Sequence, residues 1–163
     1  MKTRGFTLLE LCVGLALVAL LASLAAPSLR SSLRSAAVRT ATYELLAGLQ
    51  QIRGTAIVES HAGVLCLADR SGNCRSAGDP APAWRVFLEE DSGSRTLFTR
   101  ALPRDVTVRG SRARIRFSAR ALAASAATLT ICDAQGVAAP RAIVISQNAR
   151  ARLAAASDAG CRA

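Results

Sequence analysis

Residues 1–30 read MKTRGFTLLELCVGLALVALLASLAAPSLR, and the reading of this stretch decides the fold of everything behind it. From Phe6 to Ala26 nearly every side chain is apolar. About 20 such residues suffice to span bilayer hydrocarbon as a helix. Glu10 interrupts the run near its start. A carboxylate in hydrocarbon costs about 2.5–3.5 kcal/mol even on insertion-derived scales, so this one needs a purpose. A secretory signal peptide would place a small-residue cleavage site after the run. SLAAP at 23–27 imitates one, yet the sequence beyond stays helix-compatible, with no sign of a mature N-terminus. Charge does not orient the segment either, because Lys2 and Arg4 precede it while Arg30, Arg34 and Arg39 follow closely.

Behind the run, Val38, Ala41, Leu45, Leu49, Ile52 and Ala56 recur at steps of three and four. That spacing predicts one apolar face of an amphipathic helix over about 28–60, with Arg39, Glu44, Gln50 and Arg53 on the other side. Pro27 joins the two segments, where a proline bends a helix without necessarily ending it. After His61-Ala62-Gly63 the period changes. VLCLA, WRVFLE, RTLFTR, VTVR, ARIRFS, TLTIC and RAIVIS are short runs rich in β-branched and aromatic residues, separated by turn formers. EEDSGS at 89–94 reads as a hairpin turn, since the ligand spacing of a calcium loop is absent. Trp84 is expected in the core or at the helix–sheet seam. A long helix followed by an antiparallel, β-rich region over about 64–163 makes an α+β chain.

With 163 residues and one apolar segment at the front, the chain has room for one modest domain, low in aromatics and short of core. Covalent bracing would help it. Cys12 lies in the apolar run, whereas Cys66, Cys74, Cys132 and Cys161 all lie beyond it. Four cysteines allow three connectivities, of which sequence order favours Cys66–Cys74 and Cys132–Cys161. Disulfides imply an oxidising compartment such as a periplasm. Zinc is the rival use, disfavoured by the C-x7-C spacing and the single His61. No metal or cofactor is expected.

Charge is segregated. Residues 6–99 balance, but residues 100–163 hold eleven arginines against Asp105, Asp133 and Asp158. Guanidinium binds oxyanions bidentately, which suits phosphate. In RGSRARIRF, Arg112, Arg114 and Arg116 alternate, which on a strand puts them on one face at a spacing of about 6.5–7 Å, near that of phosphates along one nucleic-acid strand. Arg150 and Arg152 repeat the pattern. Without interleaved aromatics for base stacking, contact with duplex backbone is the nucleic-acid reading. The same pattern also fits a solvated edge strand that uses charge against aggregation. One His, no G-x-S-x-G and no P-loop leave catalysis without its parts.

The order K-x-R-G-F-T-L-L-E-L followed by an apolar helix resembles the N-terminus of type IV pilins and of type II secretion pseudopilins. The resemblance implies a leader at 1–5, a transmembrane and assembly helix at 6–27, and a periplasmic head at 28–163. It further implies cleavage by prepilin peptidase between Gly5 and Phe6, with N-methylation of Phe6. Glu10 would then meet the free amine of a neighbouring subunit, a pairing that compensates its burial. Cys66 to Cys74, Trp84, VFLEEDSG and LTICDAQGVAAPRAIVIS with Cys161 resemble, in order, the GspH/FimT branch of minor pilins. In FimT-like members a C-terminal G-R-x-R motif is associated with DNA binding during uptake. The corresponding residues here are Ala149, Arg150, Ala151 and Arg152, with alanine in place of glycine. If that backbone requires φ > 0, Ala149 would strain it, and Asn148 is a candidate to take the turn instead. The implied protein is a minor pilin of a type IV pilus in the bacterial inner membrane, partnered by other pilins, whose head either binds double-stranded DNA for uptake or aids pilus biogenesis. The alternative is the minor pseudopilin H of a type II secretion system.

Overall fold

The computed structural model describes residues 7–119 and 123–162. The cleavage and methylation positions Gly5 and Phe6 lie outside the described residues. Helix α1 (Leu8–Glu59) runs 52 residues from an N-cap at Thr7 to Ser60, whose left-handed φ of 55° ends it. Pro27 lies inside it and offers no N–H to the carbonyl of Ser23. The limbs Leu8–Ser23 and Pro27–Glu59 accordingly meet at 42°. No single helix is long and apolar enough to cross a membrane, but this bent pair passes together by length and composition. The first limb is apolar on all sides and exposed, with Leu8, Leu15 and Leu21 each more than half accessible. Such a helix needs lipid or other helices around it.

Eight strands follow: β1 (Ala62–Ala68), β2 (Ala83–Glu90), β3 (Gly93–Ala101), β4 (Val106–Gly110), β5 (Arg114–Phe117), β6 (Ala127–Asp133), β7 (Arg141–Ile145) and β8 (Ala151–Ala155), then a short α2 (Ala159–Arg162). They form two antiparallel sheets, ordered β3-β2-β1-β5 and β4-β6-β7-β8. All seven runs read as strands from sequence are strands; β8 is the addition. The stripe Val38, Ala41, Leu45, Leu49, Ile52 and Ala56 is buried, most of it in one core cluster with Leu65, Trp84, Val108, Ile131 and Ile143. The second limb of α1 is thus the centre on which both sheets close, giving an α+β architecture.

Trp84 sits over Gly48 of α1 and stacks edge-on against Phe98, their centroids 5.5 Å apart. A Cβ at position 48 would run into the Trp84 ring, which cannot swing away inside the core. Gly48→Ala gains about 1 kcal/mol of helix propensity, but overpacking costs about 1–3 kcal/mol. We expect a net loss and a melting temperature lower by several degrees; an unchanged or raised midpoint would contradict this packing.

Candidate functional site

Charged and polar side chains gather in three regions: the start of α1, the seam between α1 and the sheets, and the arginines of the head. At the first, Thr7 Oγ1 accepts the Glu10 backbone N–H at 3.3 Å. Thr7-Leu8-Leu9-Glu10 has the S/T-x-x-E order of a capping box, a signal present in the sequence itself. Glu10 therefore stands in the first turn, where the helix dipole favours an acid. Its carboxylate makes no ion pair among the described residues.

At the seam, arginines one and two turns beyond Pro27 clamp the head to the helix. Arg34 Nη1 lies 2.9 Å from Asp105 Oδ2 and 3.8 Å from Asp133 Oδ1, and Arg30 Nη2 donates to Gln135 Oε1 at 2.8 Å. The Asp133 side chain is fully buried and accepts the backbone N–H groups of Gln135, Val137 and Ala138. Burial pushes its carboxyl pKa up, yet those three donors and Arg34 outweigh it and hold the group below the ordinary value of 3.8. A lowered folded pKa means stability present above the unfolded value and lost as acid carries the pH down through the folded one. Cys132, next to it, is bonded to Cys161 with Cα atoms 5.8 Å apart, which ties α2 to β6; Cys66 and Cys74 are bonded at 5.7 Å. The short loop closed by the latter is organised by Asp69, whose Oδ1 accepts from Ser71 and Asn73 N–H.

The head arginines fall differently from the simple ladder. Strand β5 begins at Arg114, so only Arg114 and Arg116 share its exposed face, opposite buried Ile115 and Phe117. Arg112 belongs to the preceding turn, where its Nε donates to Ala126 O at 3.1 Å. Arg116 is neutralised, its Nε lying 2.6 Å from Glu89 Oε2. Arg152 pairs with Val144 across β7–β8, on the face opposite buried Ile143 and Ile145. Arg150, two residues earlier, follows the same parity, and its carbonyl accepts the Ser146 N–H at 3.0 Å. Ala127 pairs with Ile145, so Ala126 and Ser146 mark one end of the second sheet. Arg112 and Arg150 therefore lie at the same end of the second sheet, although 38 positions separate them. Arg112, Arg114, Arg150 and Arg152 are exposed and have no ion-pair partner among the described residues.

The tight turn before Arg150 uses Ala149, not Asn148, as its left-handed residue, with φ 59°. A non-glycine residue there costs roughly 1–2 kcal/mol. The Ala149 methyl is buried in the main core, and about 0.8 kcal/mol from that burial offsets part of the strain. Asn148 instead accepts a hydrogen bond from Ser146 Oγ.

Comparison with known proteins places this architecture. Residues 41–149 match the family model of the type II transport protein GspH, and residues 1–26 match the prokaryotic N-terminal methylation motif. The chain belongs to the GspH family. Crystal structures of the type IV minor pilin FimU of Pseudomonas aeruginosa superpose on this GspH-family chain in two crystal forms. One is 20% identical with a TM-score of 0.54, covering 71% of this chain and 91% of FimU. The other is 21% identical with a TM-score of 0.54, covering 72% and 87%. The minor pseudopilin EpsH of the Vibrio cholerae type 2 secretion system is 11% identical with a TM-score of 0.57, covering 72% of this chain and 96% of EpsH. At these identities the likeness shows the fold. Comparison with curated proteins finds no significant match. Family model and methylation motif together make the chain a pilin-like structural protein, a minor pilin or pseudopilin, and not an enzyme. Arg150 and Arg152 fall just past the matched region, so the match says nothing of them.

Proposed function

We propose that this GspH-family chain is a FimT-like minor pilin of a type IV pilus whose head contacts double-stranded DNA. In this reading it crosses the inner membrane once, with the head in the periplasm. Prepilin peptidase cuts between Gly5 and Phe6, Phe6 is methylated, and Glu10 pairs with the amine of an adjacent pilin. The supporting observation is the convergence of Arg112, Arg150 and Arg152 at one end of the second sheet, exposed and without counter-charge. Arg114 adds to that charge from β5, whereas Arg116 is occupied by Glu89. Contacts of this kind neutralise phosphates and are indifferent to sequence.

A second reading, the minor pseudopilin H of a type II secretion system, is favoured by the description of the matching family as a type II transport protein. Duplex binding separates the two. For the full chain in detergent, engagement of about four phosphates gives a log–log salt slope near −3.6, hence roughly a 100-fold loss of affinity between 50 and 200 mM salt. Arg150→Ala with Arg152→Ala should flatten that slope by about 1.8. Equal affinity and equal slope in the double variant would remove Arg150 and Arg152 as the DNA site, whereas no measurable duplex binding by the wild-type chain would remove DNA from the function and leave the secretion reading.

A further inference from the structure

The two flanks of α1 are electrostatically unlike. On the flank toward β4 and β6, Arg30 and Arg34 are satisfied within the molecule by Gln135, Asp105 and Asp133. On the flank toward β8, two adjoining cavities share Ser35 and Arg39 and form one groove. Ser31, Ser32, Ser35, Arg39 and Thr40 supply its helix wall, and Arg141 of β7 faces them across small residues of β8. Arg141 has the parity of Ile143 and Ile145, so it lies on the α1 side of the sheet, away from Arg150 and Arg152. The part of the groove between the two arginines measures about 380 Å³. Every charged group lining it is a guanidinium and no carboxylate reaches it. The side chains of Arg39 and Arg141 have neither ion pair nor hydrogen bond among the described residues. Two like charges and a set of hydroxyl donors around an open space make a receptor for an oxyanion.

We propose that this groove receives an aspartate or glutamate carboxylate from an adjacent pilin-type subunit, a contact that rests on the assembly reading above. Ser28, Ser32, Ser35 and Arg39 follow one another at steps of four, three and four along a single flank of α1. The groove is thus continuous with the helix that assembles, and a neighbour packed along that helix brings its own head alongside. A lipid phosphate fits the chemistry but not the position. Arg39 stands twelve residues beyond Pro27, about 18 Å along the helix, whereas the headgroup layer extends only about 5–7 Å past the hydrocarbon.

The test uses the full chain expressed in its own membrane and assembled with its partners. A photo-reactive benzoylphenylalanine in place of Ser35 is expected to cross-link to a second N-methylated subunit, at a peptide carrying an acidic residue. Arg39→Gln combined with Arg141→Gln is expected to lower recovery in sheared fibres at least tenfold at unchanged melting temperature. Should the double variant melt early, the cross-link decides alone. Cross-linking only to phospholipid, or equal incorporation of a folded double variant, overturns the proposal while leaving the pilin reading intact. Absence of the wild-type chain from the fibre fraction overturns both.

Discussion

Replacing Glu10 with Ala is expected to leave leader removal intact and to reduce incorporation into fibres at least tenfold, measured as the share of processed protein in the sheared fraction. Two roles meet at this residue, and their sizes differ. As the third residue of a helix capped by Thr7, Glu10 contributes on the order of 1 kcal/mol to the local start of α1. As a charge on an exposed apolar limb, it costs about 2.5–3.5 kcal/mol in hydrocarbon unless an amine meets it. That cost favours the assembled state over the free subunit in the bilayer. Glu10→Gln separates the roles, because glutamine serves a capping box as well as glutamate does but carries no charge. We expect Glu10→Gln to fail in assembly as Glu10→Ala does. Wild-type incorporation of Glu10→Gln would reduce the residue to a helix cap. Mass spectrometry of the native protein should give Phe6 as the first residue; an intact Met1 would end the pilin interpretation.

The largest effect on stability is expected from removing the Cys132–Cys161 bond. It closes a separation of 29 residues. The chain-entropy relation then gives about 3–4 kcal/mol, against about 2.5 kcal/mol for the separation of eight between Cys66 and Cys74. Cys132→Ala with Cys161→Ala also frees α2 from the second sheet, where Gly160 lies close to Thr130. A fall in melting temperature on the order of 10 °C should follow in a calorimetric scan of the head. A shift under about 2 °C would mean that the sheet holds its shape without the tether.

Much of this was legible in the sequence because it is local and periodic. The stripe from Val38 to Ala56 announced which face of α1 is buried, and seven strands announced themselves by β-branched alternation. Strand β8 did not: Ala151-Arg152-Leu153-Ala154-Ala155 has no β-branched residue, and alanine is poor in strands, so only its pairing with β7 makes it one. Arg112 was drawn into a ladder because alternation cannot mark where hydrogen bonding stops; here the turn after Gly110 ends it. Thr7 was readable as a cap but was overshadowed by the motif around it. The pairing of Arg34 with Asp105, 71 positions apart, and the placement of Arg112 and Arg150 at one end of the second sheet depend on tertiary register, of which periodicity holds no record.

The clamp of Arg30 and Arg34 within two turns of Pro27 has a mechanical result. Because the head grips α1 so close to its bend, the second limb and both sheets are tied together from within two turns of Pro27 onward. The limb from Pro27 to Glu59 is about 50 Å long. A bend differing by about 10° would therefore displace its far end by roughly 9 Å, so the angle at Pro27 sets where the arginine-bearing surface points.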